Sequence, residues 1–340
     1  MKCTNKKSKT YGHTIRPRIK VSLFAAAVMS AILITGCGDT SYDMAYKMNN
    51  DVSSYQLAGT SSSQEILTPF AADLCVVGES DVSASGVSLP EAGAAALFNT
   101  KSLETIYAKN ANEQLNPASL TKIMTALVAI KYGSPDQMLT ASENVRITEP
   151  GATLCGINPG DQMTMEQALH VLLLQSANDV AIMIAEGVSG SVDAFVAKMN
   201  EEAASIGATN CNFTNPNGLT EEGHYMTAYD LYLIFQEALQ YELFNQIIQM
   251  ATYTSSYHDR NGNEKALDLK NSNRYLRGTW EMPANVTVIG GKTGTTTAAG
   301  SCLILLAKSS DGTPYISVIM KDSSGDQLYT DMTDLLGIIK

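Results

Sequence analysis

The sequence is most informative first in what it withholds. Of its 340 residues only 7% are aromatic, with a single tryptophan, and only 17% are charged. Six cysteines and four histidines are present, but no Cys-x-x-Cys and no His-x-x-x-His. His170, His224 and His258, those beyond the leader, are scattered, so no metal site is expected. No Gly-x-Ser-x-Gly occurs, which removes the usual signature of a Ser-His-Asp hydrolase built on that elbow. Acidic residues are missing from positions 1–36, which carry Lys2, Lys6, Lys7, Lys9, Arg16, Arg18 and Lys20. Beyond them 16 basic residues face 34 acidic ones. So acidic a body lacks the cationic footprint that phosphate binding demands, and nucleic-acid partners are excluded.

Long apolar runs are also lacking. The longest, Val21 to about Thr35, spans about 15 residues, short of the roughly 20 that a membrane-crossing helix requires. Preceded by cations and followed by Gly36-Cys37, it reads as a secretory signal over residues 1–36. Ile34-Thr35-Gly36-Cys37 resembles a bacterial lipobox, so cleavage before Cys37 and lipidation of its thiol are expected. An uncleaved anchor, or a cut elsewhere with Cys37 incidental, stays open. Either way the body is exported, and lipid at Cys37 would hold it at the extracytoplasmic face of the membrane. Residues 38–66, rich in Ser, Asn, Asp, Tyr and Gly, have a tether composition, so positions 37–66 are taken as a linker and 67–340 as one domain. Export permits a disulfide. Cys155 and Cys211, in loop-like stretches, are the expected pair, whereas Cys75 and Cys302 lie in apolar runs and read as core.

What is present begins with Pro117-Ala118-Ser119-Leu120-Thr121-Lys122, opening a helical segment to about Tyr132. Three residues apart on a helix, Ser119 and Lys122 share a face. A serine hydroxyl needs a base, and a lysine made neutral by burial or a nearby cation can serve. An ordinary buried helix with Ser119 near its cap is the alternative. Strands are expected at Ala71–Val77, Ala94–Phe98 and Thr105–Ala108, the last two forming a hairpin across Asn99-Thr100-Lys101-Ser102. Thr164 and Gln167 have capping-box spacing for a helix from Met165 to about Gln175. It stops at Ser176-Ala177-Asn178-Asp179, either a cap between two helices or a polar wall facing a cleft. Further helices are expected at Val192–Ile206, about Thr227–Gln240, and Leu243–Met250. Tyr253–Glu281 reads as polar and irregular, strand ends and a loop at the mouth of the site. The strand Val286–Gly290 leads into Gly291-Lys292-Thr293-Gly294-Thr295, a hairpin follows over Ser301–Ala307 and Tyr315–Met320, and Gln327–Ile338 closes as helix.

Ser-x-x-Lys, Ser-x-Asn and Lys-Thr-Gly in this order form the set of the penicillin-recognising serine enzymes. With Leu172–Asp179, Asn215-Pro216-Asn217-Gly218-Leu219 and His224-Tyr225-Met226-Thr227-Ala228, residues 67–340 resemble the low-molecular-mass D-alanyl-D-alanine carboxypeptidases. The resemblance implies an α+β, penicillin-binding-protein/β-lactamase-like fold. Its antiparallel five-stranded sheet is flanked by helices and joined by a mostly helical lobe. It implies that Ser119 attacks the peptide bond between two terminal D-alanines of a peptidoglycan stem, that Lys122 takes its proton, and that Ser176 relays a proton to the leaving D-alanine. Asn178 would hold the substrate amide, Lys292 supply positive potential, Thr293 bind the terminal carboxylate, and backbone N–H groups of Ser119 and Thr295, next to Gly294, stabilise the oxyanion. Repulsion between Lys122 and Lys292 would help keep Lys122 neutral. β-Lactams would acylate Ser119, and neither metal nor cofactor is called for.

Two departures stand out. Ala177 replaces a common glycine, small for small. The chain is also expected to lack the β-rich domain and C-terminal amphipathic helix of many relatives, with lipid on Cys37 anchoring it instead. A class A β-lactamase would need a glutamate after Ser-x-Asn. Asn210–Leu219 holds no acid, and Glu221 and Glu222 lie beyond it. A non-catalytic wall-peptide or β-lactam sensor is the other rival, but it would normally bring several membrane spans.

Overall fold

A computed structural model describes residues 73–339. The chain divides into two units between Ile66 and Leu67. The segment expected as a leader, Cys37 and the expected linker lie outside the described residues, as do Ala71 and Ala72. Where the sequence gives unbroken apolar runs, the structure buries strands on both faces. Strands β1 (Ala94–Asn99) and β2 (Glu104–Lys109) form the expected hairpin. With three later strands they build an antiparallel sheet of order β2-β1-β9-β8-β7, where β7 is Val286–Thr296, β8 Gly300–Ser309 and β9 Pro314–Asp322. Side chains alternate faces along a strand. Ala94, Ala96 and Phe98 enter one hydrophobic cluster while Ala95 and Leu97 enter the other. Along β8, Cys302 and Ile304 divide from Leu303 and Leu305 in the same way. Cladding on both sides explains why no polar alternation marks these strands.

One face is covered by helix α7 (Gly325–Gly337), which packs on β8 and β9. The other is covered by the helical lobe. This comprises α1 (Thr121–Tyr132), α2 (Met165–His170), α3 (Asn178–Ser189), α4 (Val192–Ser205), α5 (Ala228–Ala238) and α6 (Glu242–Ile248). Helix α5 lies against β1 and β9 with α1 behind it, and the stacked rings of Phe98 and Tyr232, 4.1 Å apart, join the two layers. The Thr164–Gln167 capping box forms with both of its hydrogen bonds.

Three expectations are corrected. The segment expected as a strand over Ala71–Val77 is irregular across its described part, residues 73–77. It is held by single bonds instead, Cys75 N to the Tyr232 hydroxyl and the Thr105 hydroxyl to Val76 O. Second, the polar stretch from Tyr253 is regular: β5 (Thr252–His258) and β6 (Glu264–Lys270) form a hairpin. With β3 (Met138–Thr140) and β4 (Gln162–Thr164) they make a sheet of order β3-β4-β5-β6. Its strand signal is weak because β6 buries only Leu267 and Leu269. Third, Cys155 and Cys211 do not pair; both are free thiols. Cys155 lies in the loop fastened to the start of α3, and Cys211 caps its own turn by donating to Ala208 O. Burial pushes each thiol up to about 12, so neither is a ready thiolate. Cys75 and Cys302 are core, as their apolar neighbourhoods imply.

Candidate active site

Three segments meet at the edge of β7. The first is not purely α-helical: Ala118–Leu120 is a 3-10 turn and α1 begins only at Thr121. Ala118, just before the serine, adopts φ +48°. A non-glycine residue in that region costs about 1–3 kcal/mol and persists only where its surroundings enforce it. They do so here. The Thr121 hydroxyl donates to Ala118 O at 2.8 Å, and Nε2 of His224 lies 2.8 Å from that hydroxyl. Nδ1 of His224 accepts from Thr214 N at 3.1 Å, which leaves the ring hydrogen on Nε2, facing Thr121. Burial lowers His224 to about 4, so it works as a fixed neutral donor near pH 7.

Lys122, on the first turn of α1, is fully buried. Its Nζ stands 2.9 Å from Oγ of Ser119 and 2.7 Å from Oδ1 of Asn178, and also touches the carbonyl of Asn217. A neutral amine has two hydrogens and one lone pair. Asn178 and Asn217 can take the hydrogens, leaving the lone pair for the Ser119 hydroxyl. Burial first, then the charge of Lys292, holds Lys122 well below the ordinary lysine range, although Asp179 opposes. Both causes suit a base.

The second segment, Ser176-Ala177-Asn178-Asp179, begins α3 at Asn178 and turns Ser176 and Asn178 toward Lys292 and Lys122. After α2 the chain makes a π-turn, Val171–Gln175, and Ser176 follows at φ +68°. Such wide turns often mark functional positions. Ser176 Oγ accepts from Nζ of Lys292 at 2.9 Å. Asp179, in the first turn of α3, accepts from the backbone N–H groups of Cys155, Gly156 and Ile157. It therefore straps the 155–157 loop against the motif.

The third segment is β7 itself, paired to β8 along one edge with Lys292 opposite Ile304 and Thr293 opposite Leu303. Lys292 is buried, and its Nζ also donates to Thr293 O at 2.8 Å. Burial brings it down to about 7. A bound carboxylate would raise it again by supplying the missing counter-charge. Gly294 faces the nucleophile turn: a Cβ there would sit 2.9 Å from Ser119 N. Absence of a side chain lets the edge of β7 approach the backbone that carries Ser119. The Thr295 side chain is exposed.

Ser119, Lys122 and Asn178 thus form one bonded group, and Ser176, Lys292 and Thr293 a second, with Gly294 closing on Ser119. Asn178, expected to bind substrate, also turns its oxygen to Lys122. Sequence reasoning gave no role to the Asn217 carbonyl, the His224–Thr121 relay or Ser272, whose hydroxyl lies 2.5 Å from that of Thr293. The Asn-Pro-Asn-Gly and His-Tyr-Met-Thr runs were the available signal for the first two.

Residues 82–324 match the family model described as D-alanyl-D-alanine carboxypeptidase. The chain is 36% identical over 252 residues to D-alanyl-D-alanine carboxypeptidase DacF of Bacillus subtilis, covering 72% of this chain and 61% of that protein. It is 32% identical over 220 residues to DacC of Escherichia coli, covering 62% and 52%. Its match therefore spans between half and two thirds of the length of these relatives. Among solved structures, the Streptomyces K15 DD-transpeptidase superposes with a TM-score of 0.67 at 26% identity, over 74% of this chain and 98% of that one. A D-alanyl-D-alanine carboxypeptidase from Mycobacterium tuberculosis gives 0.64 at 29% identity, over 75% and 93%. Motif order, sheet topology and the convergence at β7 all agree with these likenesses, and the chain belongs to the D-alanyl-D-alanine carboxypeptidase family of penicillin-binding serine enzymes.

Proposed function

We propose that this chain is a serine-type D-alanyl-D-alanine carboxypeptidase that removes the terminal D-alanine from peptidoglycan stem pentapeptides. The observation that carries this is the Lys122 amine, fully buried, held by that burial well below the ordinary lysine range, and placed 2.9 Å from the Ser119 hydroxyl. Oγ of Ser119 adds to the penultimate carbonyl carbon while its proton passes to Nζ of Lys122. Negative charge on the carbonyl oxygen is met by backbone N–H groups of Ser119 and Thr295. When the C–N bond breaks, Ser176, bonded to Lys292, gives its hydroxyl proton to the departing D-alanine nitrogen and takes up the proton held on Lys122, which leaves Lys122 neutral again. Water then adds to the ester, passing a proton to the neutral Lys122, which returns it to Oγ of Ser119 as the C–O bond breaks and the shortened peptide leaves. Lys292 and the Thr293 hydroxyl face the substrate's terminal carboxylate, which is what confines the reaction to a C-terminal residue. A β-lactam would follow the same first step and remain attached. No acid of the 210–219 segment is available to drive water onto the ester, so a β-lactamase is disfavoured.

The test is release of D-alanine from a peptide ending in D-Ala-D-Ala, abolished by Ser119→Ala; retention of release in that variant overturns the reading. The pH dependence of kcat/KM separates the two lysines. Lys122 must be neutral, so activity rises with pH through its depressed pKa. Lys292 must be charged, so activity falls as pH rises through about 7 in the free enzyme. A bell is expected, its alkaline limb lost in a Lys292→Arg variant, because guanidinium keeps its proton there. An unchanged alkaline limb would remove Lys292 from that role.

We further propose export, with lipid at Cys37 holding the enzyme at the extracytoplasmic membrane face. Ile34–Cys37 support this. Mass spectrometry of the N-terminal peptide of membrane-extracted protein would find diacylglycerol on Cys37, and an unmodified or differently cut terminus would refute it.

A further inference from the structure

Ser272 lies on the short link after β6, between the buried Asn271 and Asn273. That link is locked from both sides. Asn271 donates to Met250 O at 2.8 Å and accepts from Asn273 N at 2.9 Å. Ser272 N donates to Leu174 O at 3.2 Å, two residues before Ser176. The Ser272 hydroxyl is thereby fixed to the segment that carries Ser176, and it meets the Thr293 hydroxyl at 2.5 Å.

Resting on the carboxypeptidase reading above, we infer that Ser272 is a positioning residue for the carboxylate end of the substrate. Its hydroxyl donates to Oγ1 of Thr293 and thereby turns the Thr293 hydrogen toward the incoming carboxylate. Each hydroxyl has one hydrogen and two lone pairs, and a carboxylate offers only acceptors. Of the two ways to join the pair, only Ser272-to-Thr293 donation leaves the Thr293 hydrogen free for the ligand. The chain from Ser272 through Thr293 to carboxylate also polarises along its length, strengthening each bond over an isolated one. The opposite direction would present a threonine lone pair to a negative group. Half-buried and anchored through its own backbone, Ser272 pre-sets that direction before the substrate arrives, so no rotor freedom has to be lost on binding.

The experiment compares a peptide ending in D-Ala-D-Ala with the same peptide bearing a C-terminal amide, in wild type, Ser272→Ala and Ser272→Thr. In Ser272→Ala the carboxylate-over-amide preference in kcat/KM should fall about tenfold, in line with loss of an oriented charge-assisted hydrogen bond. The loss should sit in KM, with kcat little altered, and Ser272→Thr should recover it. A Ser272→Ala enzyme that keeps the wild-type preference overturns the inference, even if both substrates slow together, because that pattern marks a merely structural hydroxyl. A wild type that releases no D-alanine from the carboxylate peptide overturns the carboxypeptidase reading and this inference with it.

Discussion

Replacing Lys122 by methionine should lower the rate of Ser119 acylation about 10²- to 10⁴-fold, the range associated with loss of a positioned general base. Methionine fills nearly the same volume, so the core around α1 keeps its packing, while Asn178 Oδ1 and Asn217 O lose their shared donor. The informative companion is Lys122→Arg. If position 122 served only as a positive charge for an anionic substrate, arginine would restore much of the rate. A guanidinium does not give up its proton, so as a base it fails, and Lys122→Arg should be as slow as Lys122→Met. The buried site also disfavours a permanent second charge beside Lys292, so Lys122→Arg should melt lower than Lys122→Met. Stopped-flow acylation by a penicillin, read beside thermal unfolding, decides the matter. Rescue by arginine would remove the proton-transfer role.

Gly218→Ala should also be damaging, by a different route. Gly218 has φ +82°, and a Cβ there would lie 1.9 Å from Ala118 O and 2.9 Å from Oγ1 of Thr121. Nothing in that contact can yield easily. Ala118 is held at φ +48° by the same hydroxyl, and Asn215 Oδ1 accepts from Gly218 N at 2.7 Å. Displacing Ala118 moves the turn that carries Ser119. A stability loss of about 2–4 kcal/mol is expected from combined backbone strain and overpacking, together with at least a tenfold drop in acylation at temperatures where the variant is folded. Gly207→Ala is the control. Its φ of +84° matches, yet a Cβ there would meet nothing within 4 Å, so it should lose only about 1 kcal/mol, from the left-handed backbone alone. Equal melting temperatures for the two variants would show that the Gly218–Ala118 contact does not brace the nucleophile.

Much of this was legible in the sequence, for physical reasons that differ by element. Strands β1, β8 and β9 were visible because both faces are buried, and the capping box announced α2 through local chemistry. Ser119 and Lys122 were visible because their pairing is local. Their partners were not. Asn217 reaches Lys122 across 95 positions and Ser176 reaches Lys292 across 116, so only motif resemblance, not periodicity, could bring them together. The backbone of Ala118 and Ser176 ran against expectation because neither residue type favours positive φ; tertiary contacts impose it. Hairpin β5–β6 was missed because its residues are mostly polar. The Cys155–Cys211 expectation failed because loop location says nothing about whether two thiols can meet. Ser272 carried no signal at all, being one serine in a polar link that matters only through the strand it touches.

Everything depends on Ser119 being the nucleophile that a neutral Lys122 activates. The most direct measurement is intact-protein and peptide mass spectrometry after a brief exposure to penicillin at neutral pH. One adduct of the mass of the intact penicillin should form, located on Ser119, absent in Ser119→Ala and slow in Lys122→Met, and lasting for many minutes. An adduct on another residue, or free penicilloate released rapidly with no protein-bound species, would contradict it.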